Sequence, residues 1–186
     1  IVNFLFSSVQ IPGDIRKQAI IIKGATLHTV SDGILENMDL LFKDGRILSI
    51  GENIPINSEV KVINAIDKHI FPGLISAIST LGLQEIGAVR ATRDYAEVGE
   101  LNPNVRANVS YNPDSEIIPI SRSNGVLLAL SVPRSGIISG TSSLMMLDGW
   151  TWEDATFKHP VGLHLFWPSM NKPKNKKNKE KQKNKN

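Results

Sequence analysis

Three charged side chains in a long polar stretch, Arg90, Arg93 and Asp94, are the first candidates for contacting a ligand. The stretch covers residues 81–115 and has few apolar residues at regular spacing, and a loop of that length inside a compact domain is usually functional. Arg134, in a later Gly/Ser-rich segment, is a fourth candidate, because guanidinium and carboxylate groups bind anionic or polar ligands. The alternative is that these charges form surface ion pairs, which are common and contribute little energy.

The sequence contains few of the residues that other catalytic chemistries need. The chain contains no cysteine, which excludes disulfides, thiolate metal sites and a cysteine nucleophile. Its four histidines have no partner at ligand spacing: His28, His69, His159 and His164. The Gly/Ser-rich segment 134–142 has Thr141 where a phosphate-binding loop needs Lys, which excludes a Walker-type nucleotide site. Backbone N–H groups there could still hold a carboxylate or phosphate.

The element expected to organise the chain is the apolar run that follows Pro72 and Gly73. Pro suits the first residues of a strand and not its middle. The run continues through Ile78 with too few polar residues for a strand that is exposed on one face. We therefore predict a strand buried on both faces, as in a parallel sheet.

This run resembles the first barrel strand of the amidohydrolase superfamily of metal-dependent hydrolases, of the imidazolonepropionase-like kind. The residues that match the family pattern Pro-Gly-Leu-Ile-Asp-x-His-x-His-x-x-Gly are Pro72, Gly73, Leu74, Ile75 and Gly82. Ser76 replaces the Asp, and Ile78 and Thr80 replace the two His. The resemblance implies a (β/α)₈ barrel that hydrolyses C–N bonds other than peptide bonds, using zinc or a similar divalent metal.

The replacement of the family's two His residues bears directly on metal binding. Residues two apart on a strand point to the same side, so two His at this spacing could bind one metal ion. Ile78 has no lone pair to offer, and the Thr80 hydroxyl is a poor ligand for zinc-like ions. We therefore predict no catalytic residue and no metal ligand in this chain. The family's later ligands, a carbamylated Lys, further His and an Asp, also have no counterpart in this sequence.

Residues 18–68 alternate between strand patterns and turn signals, which predicts a small antiparallel β-sandwich segment. This order also resembles the N-terminal segment of amidohydrolases. Further along, residues 115–124 predict a helix that ends at Asn124-Gly125, and residues 126–132 predict a second buried strand. Strand, helix and strand form a βαβ unit with a parallel pair. Residues 161–168 predict a third barrel strand.

The two ends of the chain differ in composition from its body. Residues 1–17 read as an N-terminal extension, whose apolar part is either a signal-peptide remnant or an ordinary strand. A signal-peptide remnant would indicate an exported protein located outside the cytoplasm. Residues 171–186 hold eight Lys and one Glu and read as a disordered tail or linker. The remaining 13 basic and 17 acidic residues give no broad basic face for nucleic acid. No run approaches the roughly 18 apolar residues of a membrane span.

The predicted fold class is α/β, a partial barrel. A complete barrel takes about 250 residues, so residues 69–170 suffice for its first two or three strands. The rest must come from the remainder of the same polypeptide or from a complementary chain, and the protein could also form a homo-oligomer. We expect the N-terminal part of an amidohydrolase-like protein that is inactive alone. The alternative is a non-catalytic, degenerate amidohydrolase fold that binds a partner or ligand through residues 81–115.

Overall fold

The computed structural model describes residues 11–13 and 17–168. The predicted signal-peptide remnant and the Lys-rich tail lie outside the described residues, so both stay predictions. Within the described ranges, no helix is both long and apolar enough to cross a membrane.

The described part of the chain is mostly β-sheet. Its strands are β1 (Ile20–His28), β2 (Ile34–Lys43), β3 (Arg46–Gly51), β4 (Lys61–Asn64), β5 (His69–Ile70), β6 (Leu74–Ser79), β7 (Val126–Ser131), β8 (Ile138–Thr141), β9 (Ser143–Met146), β10 (Thr156–Lys158) and β11 (Leu163–Leu165). The two α-helices are short, α1 (Ile117–Ser123) and α2 (Trp152–Ala155), and 3-10 turns cover Arg90–Thr92 and Ala107–Ser110. The α/β class is therefore only partly confirmed, because helices are few.

The first five strands form one mixed sheet. Its order is β3-β2-β1-β4, and β5 also pairs with β1. The predicted antiparallel arrangement is confirmed for β1, β2 and β3. It is wrong for β4 and β5, which run parallel to β1, and one sheet replaces the expected sandwich. The segment between β3 and β4 is too long for a tight hairpin, so the chain can cross over and return in the parallel direction.

Asp39, on the interior strand β2, links β1 to the segment that follows β3. Its buried carboxylate accepts hydrogen bonds from the N–H groups of Gly24, at 3.0 Å, and Ile54, at 3.1 Å. The Lys23 ammonium lies 3.6 Å from the same carboxylate. Since the pairing of β1 with β2 is irregular between Ile22 and Ala25, Asp39 satisfies a backbone donor that the ladder leaves free.

The predicted βαβ unit is confirmed. β6 and β7 pair in parallel, with α1 between them in sequence. Ile118 of α1 packs into a core with buried residues of the preceding loop, of β7, and of the segment from β9 to α2: Leu81, Tyr111, Ala129, Met145, Leu147 and Ala155. The helix ends before Gly125, as the Asn-Gly signal predicts.

The strands after β7 depart from a barrel. β9 runs antiparallel to β7, and the sheet has the order β10-β9-β7-β6. β11 pairs antiparallel with β8 in a separate two-stranded sheet, so the third parallel barrel strand predicted at residues 161–168 is wrong. β8 follows β7 after a short link that contains no helix. β8 therefore cannot pair in parallel with β7 as the next barrel strand would, because parallel pairing needs a crossover connection. A complete barrel is not shown.

Two burial predictions also need correction. β6 is an edge strand rather than a strand buried on both faces, and Leu74, Ile75 and Ile78 are 60%, 57% and 66% exposed. These side chains point out of the plane of the sheet, and no described element packs over them closely enough to bury them. β7, also predicted to be buried, is buried only in part, because Leu127 is 50% exposed. The polar stretch 81–115 contributes buried residues, among them Leu81, Leu83, Asn102, Ala107, Asn108 and Tyr111.

Candidate functional site

The carboxyl ends of β6 and β7 lie together, which is where barrel enzymes place their active sites. The Val132 N–H donates to the Ser79 carbonyl at 2.9 Å, which fixes the two strand ends side by side. Further out, the Arg134 N–H donates to the Tyr95 carbonyl. The loops that follow the two strands therefore meet above this end of the sheet.

A small open cavity of about 240 Å³ lies beside the end of β6. Its lining residues are Ser79, Thr80, Leu81, Gln84, Glu85 and Ile117. The Ser79 hydroxyl oxygen accepts from the Leu81 N–H at 2.9 Å, and the Glu85 carboxylate accepts from the Asn112 amide at 3.4 Å. The cavity thus combines hydroxyl, amide and carboxylate groups, which suit a small polar ligand.

The structure does not gather the four predicted ligand-contacting residues into one charged cluster. Arg90 is exposed at the start of a 3-10 turn. Arg93 is half-buried, and its backbone pairs with that of Gln84 in an isolated antiparallel β-bridge. Asp94 is exposed and donates its N–H to the Leu83 carbonyl, and Arg134 is exposed in the facing loop. Between described residues, no ion pair involves any of these four side chains, so the alternative of mutual ion pairing is not observed. Their contact with a ligand stays a prediction.

The two positions that correspond to the family's histidines have different surroundings. Ile78 is exposed on β6, and Thr80 is half-buried and lines the cavity. Among the described residues, no group of three or more His, Asp or Glu side chains is arranged to hold a metal ion. The metal-free state of the chain stays a prediction.

The structure forms histidine contacts that sequence spacing did not reveal. His28 Nε2 lies 2.9 Å from His69 Nδ1, and the His28 ring stacks on Phe71 with centroids 4.2 Å apart. This contact follows from the parallel pairing of β1 with β5, two strands that are distant in sequence. The Ser143 hydroxyl contacts His159 Nδ1 at 2.8 Å, but Ser143 is fully buried and no substrate could reach it.

Burial perturbs two titratable groups. It lowers the pKa of His164, whose Nε2 is buried without a hydrogen-bond partner among the described residues. It also raises the pKa of Tyr111, whose hydroxyl donates to the Met146 carbonyl at 3.4 Å. In both cases burial disfavours the charged form, and neither group lines the cavity beside β6.

An amidohydrolase from Thermotoga maritima has a similar structure, with a TM-score of 0.72 and 28% sequence identity over 78% of this chain. The fold resembles the N-terminal portion of an amidohydrolase. This chain spans 38% of the Thermotoga protein's length.

Other solved structures overlap only in part. A D-hydantoinase matches 37% of this chain and 14% of its own at 35% identity, with a TM-score of 0.32. A β-aspartyl dipeptidase from Fervidobacterium islandicum matches 42% and 20%, at 20% identity and a TM-score of 0.34. Neither overlap is extensive enough to support a conclusion. No protein-family profile and no curated protein matches the chain.

Proposed function

We propose that this chain is the N-terminal part of an amidohydrolase-like protein and is not catalytic by itself. The observation that carries the proposal is the parallel β6–α1–β7 unit, which follows the five-stranded sheet. The similarity to the Thermotoga amidohydrolase, which covers 78% of this chain, supports the same proposal. The family reaction would be hydrolysis of C–N bonds other than peptide bonds by a metal-activated water.

The proposed partner is the remainder of the barrel, from the same polypeptide or from a complementary chain. The free edge of β6 offers unpaired backbone groups to a further strand. Three large apolar side chains are exposed on this strand, Leu74, Ile75 and Ile78. Burying a side chain of this size stabilises a protein by about 1.5–3 kcal/mol, so covering β6 would contribute several kcal/mol.

The metal chemistry of the complete protein would depend on ligands outside β6. An isoleucine cannot coordinate a metal, and one threonine hydroxyl is a weak ligand for zinc. With Ile78 and Thr80 at the family's His positions, β6 supplies no imidazole. Zinc could therefore act only if side chains elsewhere in the complete protein held it.

Zinc binding by the chain tests this proposal directly. After equilibrium dialysis against micromolar zinc, mass spectrometry of the metal content should find well below one zinc per chain. Thr80→Ala should leave that value unchanged, because Thr80 is not a ligand. Stoichiometric zinc that is lost in Thr80→Ala would contradict the proposal.

The second candidate is a degenerate amidohydrolase fold that binds a ligand or partner without catalysis. The polar cavity beside β6, lined by Thr80, Gln84 and Glu85, favours this candidate because Thr80 stands at one of the family's His positions. The coding sequence beyond Asn186 separates the two. His, Lys and Asp residues at the later ligand positions would support catalysis by the complete protein, and their absence would support the binding role.

A further inference from the structure

A second cavity, of about 700 Å³, lies at the opposite end of the β6–β7 sheet. β9 runs antiparallel to β7, with Met146 opposite Leu128, so β9 ends near the amino end of β7. The cavity is lined by Pro12, Gly13, Met146, Asp148, Gly149, Trp150 and Asp154. Its volume falls within the roughly 300–1,000 Å³ that is typical of small-molecule sites.

The walls of this cavity combine apolar and aromatic surface. Trp150 is 54% exposed although it is the largest side chain in the lining. Pro12 and Met146 add apolar surface. The face of an indole ring is the strongest natural partner for a cation among aromatic side chains, and the surrounding apolar groups reduce competition from water.

The charge of the lining is negative. Asp148 is neutralised, because one carboxylate oxygen accepts from Arg122 at 2.7 Å and the other accepts from the Gly13 N–H at 3.2 Å. Asp154 is exposed and forms no ion pair with another described residue. No Lys or Arg belongs to the described lining. Among the described lining residues, none offsets the charge of Asp154, which lines the same cavity as Trp150.

We propose that this cavity binds a small organic cation of the alkylammonium class. The Trp150 ring contacts the cationic head through its face, and the Asp154 carboxylate supplies the opposite charge. Asp148 acts as a positioning residue, since it fixes Gly13 in the cavity wall. The site uses no residue of β6, so it does not depend on the function proposed above.

Choline and its uncharged isostere 3,3-dimethylbutan-1-ol are matched probes for this site. Titration of the ¹⁵N-labelled chain with each compound, followed through the Trp150 indole N–H resonance, measures the two affinities. Choline should bind with millimolar affinity and the isostere at least roughly fivefold more weakly, because only choline gains the cation–π and charge interactions. Equal affinities of the two compounds would overturn the proposal.

Two neighbouring carboxylates provide the matched variants. Asp154→Asn removes a negative charge from the described lining. Glu153→Gln removes an equal charge from the adjacent residue, whose side chain does not line the cavity. Asp154→Asn should weaken choline binding roughly fivefold, and Glu153→Gln should change it by less than twofold. The spectra report whether each variant is folded. An equal loss in both would show that choline responds to overall charge, and no loss in Asp154→Asn would exclude its role.

Discussion

An alanine in place of Gly82 would push its Cβ against the ring of Tyr111. A Cβ with ideal geometry at this position would lie 3.0 Å from Tyr111 Cζ and closer still to Cε2 and Cδ2. Tyr111 is buried in the core below α1, so its ring has little room to move away. Gly82 also has φ +74°, a left-handed conformation that side chains with a Cβ rarely adopt.

Two costs add in Gly82→Ala. The left-handed backbone costs about 1–2 kcal/mol for a non-glycine residue. Forcing an extra methyl group into a packed core costs about 1–3 kcal/mol more. We therefore expect a loss of about 2–5 kcal/mol in the free energy of unfolding.

Urea unfolding followed by tryptophan fluorescence measures this loss, and Gly125 offers a matched control in the same βαβ unit. Gly125 has φ +84°, but nothing lies within 4 Å of a Cβ placed there. Gly125→Ala should therefore carry the backbone cost alone, about 1–2 kcal/mol. Equal losses in the two variants would refute the packing of Tyr111 against Gly82.

Two further predictions concern buried polar groups. Asp39→Ala should lower the free energy of unfolding by about 1–3 kcal/mol, because the N–H groups of Gly24 and Ile54 lose their acceptor, and Asp39→Asn should lose less in the same urea assay. Burial lowers the pKa of His164, so the unfolded chain binds more protons than the folded chain below about pH 6.5. Stability should therefore fall between pH 7 and 5, and His164→Gln should show a smaller fall; identical pH profiles would count against this account.

Local sequence signals predicted the β6–α1–β7 unit well. The Asn124-Gly125 pair marks the helix end, and the apolar runs on either side mark two strands. These signals act within a few residues, so they are visible in the sequence. The direction of β11 is not, because the run at 163–165 has the same pattern in a parallel or an antiparallel pair.

The burial of β6 was predicted wrongly for a related reason. An apolar run shows that a strand can be covered on both faces, but the covering residues belong to other parts of the structure. Ile78 is exposed because no described element packs over its face of β6 closely enough to bury it.

The lining of the cavity beside β6 could not be predicted from the sequence. The charge of Arg90, Arg93, Asp94 and Arg134 made them candidates for contacting a ligand, and that contact stays a prediction. The cavity is lined by Thr80, Gln84 and Glu85, among others, which the packing of the loop brings to the strand end. The contact between His28 and His69 was missed because it depends on strand register, which spacing along the chain does not reveal.

The central claim of the proposed function is that β6 has apolar side chains that the remainder of the protein covers. Because the chain has no cysteine, Ile78→Cys introduces a single thiol whose rate of reaction with N-ethylmaleimide reports exposure. Ser131→Cys, at a fully buried position on the paired strand β7, is the control. We predict that the thiol at position 78 reacts at a rate within roughly tenfold of that of free cysteine. The thiol at position 131 should react at least roughly a hundredfold more slowly than the thiol at 78, since it becomes accessible only on local opening. Equally slow reaction at both positions would show that β6 is already covered, and would contradict the account.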